Sequence, residues 1–477
     1  MFTQPAPTPQ RSARSVAIAA ATLALLFGAV ILLVHPAADY SLWYDEAWSL
    51  QAVQSRDPGA IIDTVRSDFH PPGYFLLLSA WSSAAGVSER AARFPSLLCA
   101  MLMLAVTFRL AADLCHSYAA GALAAVVLAV SPFFVRYAHE ARMYAALAAG
   151  VTASMWLYRR YLARPRRSAA LAYVLVTAAA LYTHYLGAFV IPLQLLYAAL
   201  NARKRSALLL PLAASVLFLP WLPAFIDQLN APDYNAVHDH TLPTNLDTVA
   251  ATLREDFFAG QTPLYLLLIA AGALAMRAAG AGALAYLLIW GVGWLALVWG
   301  SNTVTPHFQP RNALPALPAL AIVACAGMAG LRPPRLSRAA AAALLTVLVA
   351  AHLSSYASYQ AQDPHYRDAV EALAREYRPG DVIFWQSNTY LHDLPIPHYL
   401  EHLLPPGTDA VRLNGLAYGP GTEGFAPAFT EAVGDAARFC MLQTLPVDNS
   451  WVAQAVPYAE AGSVHIDAFQ VSCYERQ

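Results

Sequence analysis

Charge is what this chain lacks. Only 12% of its 477 residues are Asp, Glu, Lys or Arg, against roughly 25% in an ordinary soluble domain. That scarcity excludes a water-soluble globule, and with 58% hydrophobic residues it predicts an α-helical polytopic membrane protein. A basic excess is missing too: the formal net charge is −1, which argues against a nucleic-acid partner. There is no Gly-rich phosphate loop to cradle a nucleotide, and no repeat or low-complexity segment beyond Ala-rich spans that suit close helix packing. Cysteines number five. Cys99 and Cys325 fall within apolar runs and Cys115 beside one, where a small buried thiol is the plain reading. Cys440 and Cys473 fall on predicted strands, and a disulfide between them is chemically allowed in an oxidising compartment.

What is present is a series of long apolar runs. Those approaching the roughly 20 residues of a spanning helix lie at 16–35, 93–112, 118–136, 142–160, 169–184, 186–200, 206–225, 263–276, 281–299, 312–330 and 338–356, so about 11 transmembrane helices are expected. The run at 73–86 is too short and suits a helix lying in the interface. With it left out of the count, Arg159, Arg160, Arg164, Arg166 and Arg167, then Arg203, Lys204 and Arg205, then Arg277, then Arg332, Arg335 and Arg338 share one side with Arg11 and Arg14. Such loops mark the cytoplasm. Asp113 is the only carboxylate in these connections.

The expected organisation is a cytoplasmic N-terminus at 1–15, a transmembrane domain at 16–356 with a first periplasmic loop at 36–92, and a non-cytoplasmic tail at 357–477. The first apolar run, about 19 residues, exceeds a signal-peptide core of roughly 7–15 and is read as an uncleaved span. In the tail, helix-like AVEALAREY (369–377) precedes the strand DVIFW (381–385), RFCMLQ (438–443), a helix-like stretch near 449–460 and VHIDAFQVSCY (464–474). That is enough for a small C-terminal α/β domain with its own core.

Four polar groups fall on the non-cytoplasmic side. The pair Asp45-Glu46 sits among Trp43, Tyr44 and Trp48. It reads either as a cap or solvated loop ahead of an interfacial helix, or as a general base whose basicity is raised in an aromatic pocket. In DFHPPGYF (68–75), Pro71 and Pro72 start a helix. The stretch is a plain junction, or else Asp68 or His70 lines a head-group site. RYAHEARMY (136–144) packs Arg136, His139, Glu140 and Arg142 at a membrane boundary. Arg136 reads as snorkelling, but Arg142 opens an apolar helix whose N-terminus is already positive, and a bound phosphate would relieve both. In TPHFQPRNALPALPAL (305–320), Arg311 repeats that pattern, and Arg93 in AARFPS does so again. Three outward arginines run against the positive-inside tendency and point to a shared anionic ligand. His184, in LYTHYLG, lies on the same side, where a lone histidine is more often structural.

Together these motifs resemble the membrane-embedded GT-C glycosyltransferases, in the branch of protein O-mannosyltransferases and the lipid A aminoarabinose transferase. The matching elements are WYDEAW, FHPPGYFLLL, ERAARFPSLL, SPFFVRYAHEARMY and QPRNALPALP, in the family's order over roughly residues 16–330. The resemblance implies an inverting transfer of a sugar from a polyprenyl-phosphate carrier to an acceptor on the periplasmic face of a bacterial inner membrane. Asp45 would be the base, Glu46, Glu140 or His70 would orient the sugar or tune Asp45, and Arg142 and Arg311 would meet the phosphate, with Arg93 and His184 as further donor-site candidates. Some relatives use a divalent metal, for which Asp45, Glu140 and a histidine would be the ligands, although no tight ligand motif appears. The stretch YRDAVEALAREYRPGDVIFW looks like tails of bacterial members, and the acceptor stays open between glycan, lipid and protein. The rival class is a transporter or flippase of lipid-linked sugars. Transporters place binding groups near the bilayer midplane and show internal repeats, whereas here charge collects at one face.

Overall fold

The structure, a computed structural model, describes residues 19, 22–31, 33, 39–201, 206–231, 247, 250, 251, 253–258, 260–279, 281–302, 309–330, 334–360, 363–387, 390–408, 410–413, 425–445 and 449–477. The expected cytoplasmic stretch 1–15 with Arg11 and Arg14, the residues Arg203, Lys204, Arg205 and Arg332, and parts of the loops at 226–262 and 300–311 lie outside the described residues. The chain divides into two compact units, one of 1–38 with 52–359 and one of 39–51 with 360–477.

The first unit is helical because an apolar solvent leaves backbone amides no partner but one another. Each of the eleven expected runs holds helix. Among the described residues, Glu89–Cys115, Ala207–Leu229, Gly282–Ser301 and Pro310–Met328 are long and apolar enough to cross a membrane, and the bent pair Tyr118–Ala129 with Pro132–Ala138 makes up to five. Thr22–Ile31, Arg167–Thr183, Tyr185–Leu200, Thr262–Arg277 and Arg338–Ala351 are shorter apolar helices. The run expected at 118–136 is broken. Pro132 has no amide hydrogen to donate to Leu128, and the chain bends there by 66°, leaving Arg136 on a separate short helix that ends at His139.

Close approaches fix the helices that carry polar residues. Thr262–Ala279 and Leu317–Gly330 meet backbone to backbone, since a Cβ at Gly272 would stand 1.7 Å from the Val323 carbonyl oxygen. Trp290 and Trp294 are fully buried, and the Trp294 indole donates to the Asn312 carbonyl at 2.8 Å. That bond pins the 3-10 stretch Pro310–Ala316 that presents Arg311. The expected interfacial segment is the 13-residue helix Gly73–Ala85, which starts behind Pro71 and Pro72. A Cβ at Gly73 would come within 2.6 Å of the Tyr182 carbonyl, so glycine lets this helix begin against the end of Arg167–Thr183.

The second unit is a five-stranded mixed sheet in the order β2-β1-β3-β5-β4, with β1 Val382–Gln386, β2 Ala410–Arg412, β3 Arg438–Thr444, β4 Tyr458–Ile466 and β5 Phe469–Arg476. β1 runs parallel to β2 and β3, while β5 is antiparallel to β3 and β4. β3 is buried along its whole length. One face packs Phe384, Phe439 and Met441 against Phe425 and Phe429 of the helix Phe425–Val433. The amphipathic helix Tyr366–Glu376 covers the other face, with Tyr366 5.6 Å from Phe469. Cys440 and Cys473 face each other across β3 and β5 and form a disulfide. Arg438, buried, donates to Asp381 Oδ2 at 2.9 Å and to the Glu376 carbonyl at 2.7 Å, which satisfies a charge that burial alone would strongly disfavour.

One expectation for the tail is corrected. The helix near 449–460 is only Val452–Ala455 and gives way to β4, because Pro457 cannot extend it. Residues 464–474 hold a hairpin: Asp467, with φ 48°, reverses the chain between β4 and β5.

Candidate functional site

In the helical unit, polar residues gather where several helices end. Asp68 and His70 precede Gly73–Ala85, and Arg142 lies in the turn between Pro132–Ala138 and Tyr144–Ala163. The His70 ring bridges the other two: Nδ1 is 2.6 Å from Asp68 Oδ2, and Nε2 is 3.2 Å from Arg142 Nη2. A guanidinium only donates. Its contact therefore makes Nε2 the acceptor and assigns the ring proton to Nδ1, which donates it to Asp68. Burial raises the Asp68 carboxyl, but His70 and Arg142 outweigh it, and its pKa ends below the ordinary carboxylate value. Asp68, His70 and Arg142 thus form one hydrogen-bonded chain.

Aromatic rings extend this group. His184 lies edge-on to His70 with centroids 6.4 Å apart and is 5.7 Å from Tyr144. Its Nδ1 accepts from the Leu186 amide at 3.1 Å, so its ring proton is on Nε2. The Arg311 guanidinium carbon stands 4.6 Å from the Tyr144 ring centroid, a cation–π geometry. Ser96 donates to the Arg142 carbonyl at 3.1 Å, tying the turn to Glu89–Cys115. Arg142 and Arg93 are both buried.

The sequence candidates thus fall into sets. His70, Arg142 and His184 are joined through direct contacts, and Arg311 joins them by way of the Tyr144 ring. Glu140 is half-buried in the turn that carries Arg142, and Arg93 lies in the second turn of Glu89–Cys115. Arg136 packs its guanidinium over Tyr137 at 5.6 Å, and His139 Nδ1 donates to the Val135 carbonyl at 2.7 Å. Sequence reasoning gave Tyr144 no role. Its signal was the aromatic ring two residues after Arg142.

Asp45 and Glu46 belong to the other unit. There the Ser41 amide donates to Asp363 Oδ1 at 3.1 Å, the Leu42 amide to the Tyr399 hydroxyl at 2.7 Å and the Arg367 amide to Ser41 Oγ at 3.2 Å. These bonds hold the start of the helix Tyr44–Ala52. Glu46 is wholly buried, and its Oε2 accepts from the Trp43 amide at 3.3 Å, half of a capping box. Asp45 is half-buried. Its carbonyl accepts from Ser49 Oγ, a backbone contact that leaves its carboxylate outside the cap. Among the described residues no group of three His, Cys, Asp or Glu side chains is placed to hold a metal ion.

Residues 69–225 match the family described as dolichyl-phosphate-mannose-protein mannosyltransferase. That stretch, less than half of the chain, includes His70, Arg142 and His184 but neither Asp45 nor Arg311. No curated protein sequence matches the chain. Among solved structures, ArnT from Cupriavidus metallidurans bound to undecaprenyl phosphate is 14% identical with a TM-score of 0.64, covering 95% of this chain and 97% of that one. The same protein in its apo state gives 14% and 0.63 over 97% and 98%. The archaeal oligosaccharyltransferase AglB from Archaeoglobus fulgidus, in complex with an inhibitory peptide and a dolichol-phosphate, is 12% identical with a TM-score of 0.52 over 88% of this chain and 69% of that one. These are GT-C proteins, and identities this low speak for the fold.

Proposed function

We propose that this chain, which shares the fold of the GT-C structures it matches, is an inverting glycosyltransferase whose donor is a sugar on a polyprenyl phosphate. The observation that carries this reading is the buried Arg142, held against His70 while Asp68 fixes the His70 tautomer. A guanidinium can hold phosphate oxygens bidentately, and one held in place by a neighbouring ring is oriented for it. Arg311, stacked on Tyr144 beside His184, adds a second cation to the same group.

The family resemblance supplies the remaining role, that of the base, and gives it to Asp45. The acceptor hydroxyl oxygen attacks the anomeric carbon from the face opposite the lipid phosphate, and Asp45 takes the hydroxyl proton. The bond from the anomeric carbon to the phosphate oxygen breaks, its electron pair leaves with the polyprenyl phosphate, and the configuration inverts. Arg142 and Arg311 oppose the negative charge as it grows on the leaving oxygen. Asp45 is preferred to Glu46 as base because the Glu46 carboxylate already caps a helix. The arginine distribution supports transfer at the periplasmic face of a bacterial inner membrane, and the acceptor is a glycan, lipid or protein.

The test is transfer from a panel of radiolabelled polyprenyl-phosphate sugars by wild type, Asp45→Asn and Arg142→Ala. Loss of a general base should slow transfer by about 10²–10⁴-fold with donor binding retained, whereas Arg142→Ala should weaken donor binding itself. Full transfer by Asp45→Asn would remove that residue as base. Donor translocation without transfer would make the protein a flippase.

A further inference from the structure

The second unit carries a polar shelf that the transfer reaction does not use. β1 pairs in parallel with β2 on one side and with β3 on the other, so the strand order reverses at β1. In open α/β sheets the crevice beyond the carboxyl ends of the strands, at such a reversal, is where ligands bind. Here the helices diverge to opposite faces as that geometry requires. Pro395–Leu403 packs on Tyr366–Glu376 over one face, and Phe425–Val433 packs on Phe384 and Phe439 over the other.

At the end of the second face the side chains change character. Val382 and Phe384 on β1, and Phe439 and Met441 on β3, belong to the apolar cluster, but the next position along each strand is an amide. Gln386 stands opposite Gln443, and Gln443 opposite Gln470 on β5, so three glutamines cross the sheet in one row. Gln443 Nε2 donates to Gln386 Oε1 at 2.8 Å, and Gln470 Nε2 donates to Ser472 Oγ at 2.8 Å. Gln443 is 2% exposed, yet among the described residues its Oε1 accepts no hydrogen bond. A buried amide acceptor left without a donor is unfavourable by roughly 1–3 kcal/mol, which points to a donor that arrives from outside. Gln386 and Gln470, on either side, are only half-buried.

We propose that this row is a carbohydrate-binding shelf. Amides donate and accept at once, as sugar hydroxyls do, and no carboxylate or cation stands among the three residues to select an ion. At about 4.8 Å between neighbouring strands, Gln386 to Gln470 spans roughly 10 Å, enough for two adjoining neutral sugar rings. The shelf lies in the sheet unit and its occupancy needs no turnover.

The experiment is saturation-transfer NMR on the full-length protein in lipid nanodiscs, free of sugar-headed detergent, with mannobiose, cellobiose and chitobiose as probes. At least one disaccharide should receive saturation, and Gln443→Leu and Gln470→Ala should each weaken its binding about tenfold. If Gln443→Leu unfolds the sheet, seen as exposure of Cys440 and Cys473 to alkylation after mild reduction, the half-buried Gln470→Ala decides. No saturation of any of the three sugars, or binding unchanged in Gln470→Ala, overturns the proposal. Binding is read without transfer, so an inactive protein that still binds would count against the transferase reading alone.

Discussion

His70 has two nitrogens and two neighbours of opposite charge, and its usefulness depends on which nitrogen bears the proton. Asp68 decides this by accepting from Nδ1. Asp68→Ala frees the ring to carry its proton on Nε2, where it would face the Arg142 guanidinium donor to donor. A hydrogen bond to a charged group contributes roughly 1.5–3 kcal/mol, so on the proposed function polyprenyl-phosphate binding should weaken by at least about tenfold. Asp68→Asn, which still offers an acceptor, should lose less. Equilibrium binding of labelled undecaprenyl phosphate in nanodiscs checks this, and equal affinities for wild type and Asp68→Ala would refute it. Because the folded carboxyl lies below its ordinary value, its stabilising contribution is complete above about pH 3.9 and is lost only as pH falls through the folded value. Arg142 and His70 were legible in the sequence because polar groups are unfavourable at a membrane boundary. Their contact was not, since 72 residues separate them and only the packing of the helices brings them together.

At the scale of elements, apolar runs announced helices faithfully, and the misreadings came where burial is one-sided or absent. β4 is exposed from Ala459 to His465, so it has no buried face to impose alternation, and its N-terminal part passed for helix. Pro132 broke a run whose composition alone looked continuous. The contact between Thr262–Ala279 and Leu317–Gly330 was equally hidden, because a glycine in an Ala-rich span does not name its neighbour. Gly272→Ala tests that contact. Its methyl would overlap the Val323 carbonyl at 1.7 Å, a clash no rotamer relieves, so the helices must part. Overpacking of this kind destabilises by about 1–3 kcal/mol or more, to be read as a lower thermal transition of the membrane-extracted protein. The helix Pro395–Leu403 makes a second prediction. Burial, with His402 beside it, depresses the His398 pKa from 6.5 to about 4, so the folded sheet unit binds fewer protons than the unfolded chain. Its stability should be full above about pH 6.5 and fall toward pH 4. The change should be on the order of a few kcal/mol at most, and His398→Gln should flatten it in pH-resolved thermal unfolding.

For the whole molecule, cysteine chemistry tests which face of the membrane the sheet unit occupies, independently of arginine counting. Cys440 and Cys473 are paired, while Cys99, Cys115 and Cys325 are free thiols. A structural disulfide persists in an oxidising compartment and is reduced in the cytosol, so a periplasmic sheet unit predicts that Cys440 and Cys473 stay paired in the cell. Protein extracted under denaturing, non-reducing conditions with thiols trapped should therefore take up alkylating agent at three cysteines, and at five after reduction. A C-terminal alkaline phosphatase fusion should be active and a C-terminal green fluorescent fusion dark. The closed loop, with Cys440 and Cys473 33 positions apart, implies a loss of about 2–4 kcal/mol from the sheet unit when the bond is absent, so reduction should lower its unfolding transition. Five alkylated cysteines before reduction, together with an inactive phosphatase, would place the tail in the cytoplasm. That result would invert the proposed membrane orientation, and Asp45, grouped with this unit, would then stand on the wrong face for a periplasmic acceptor.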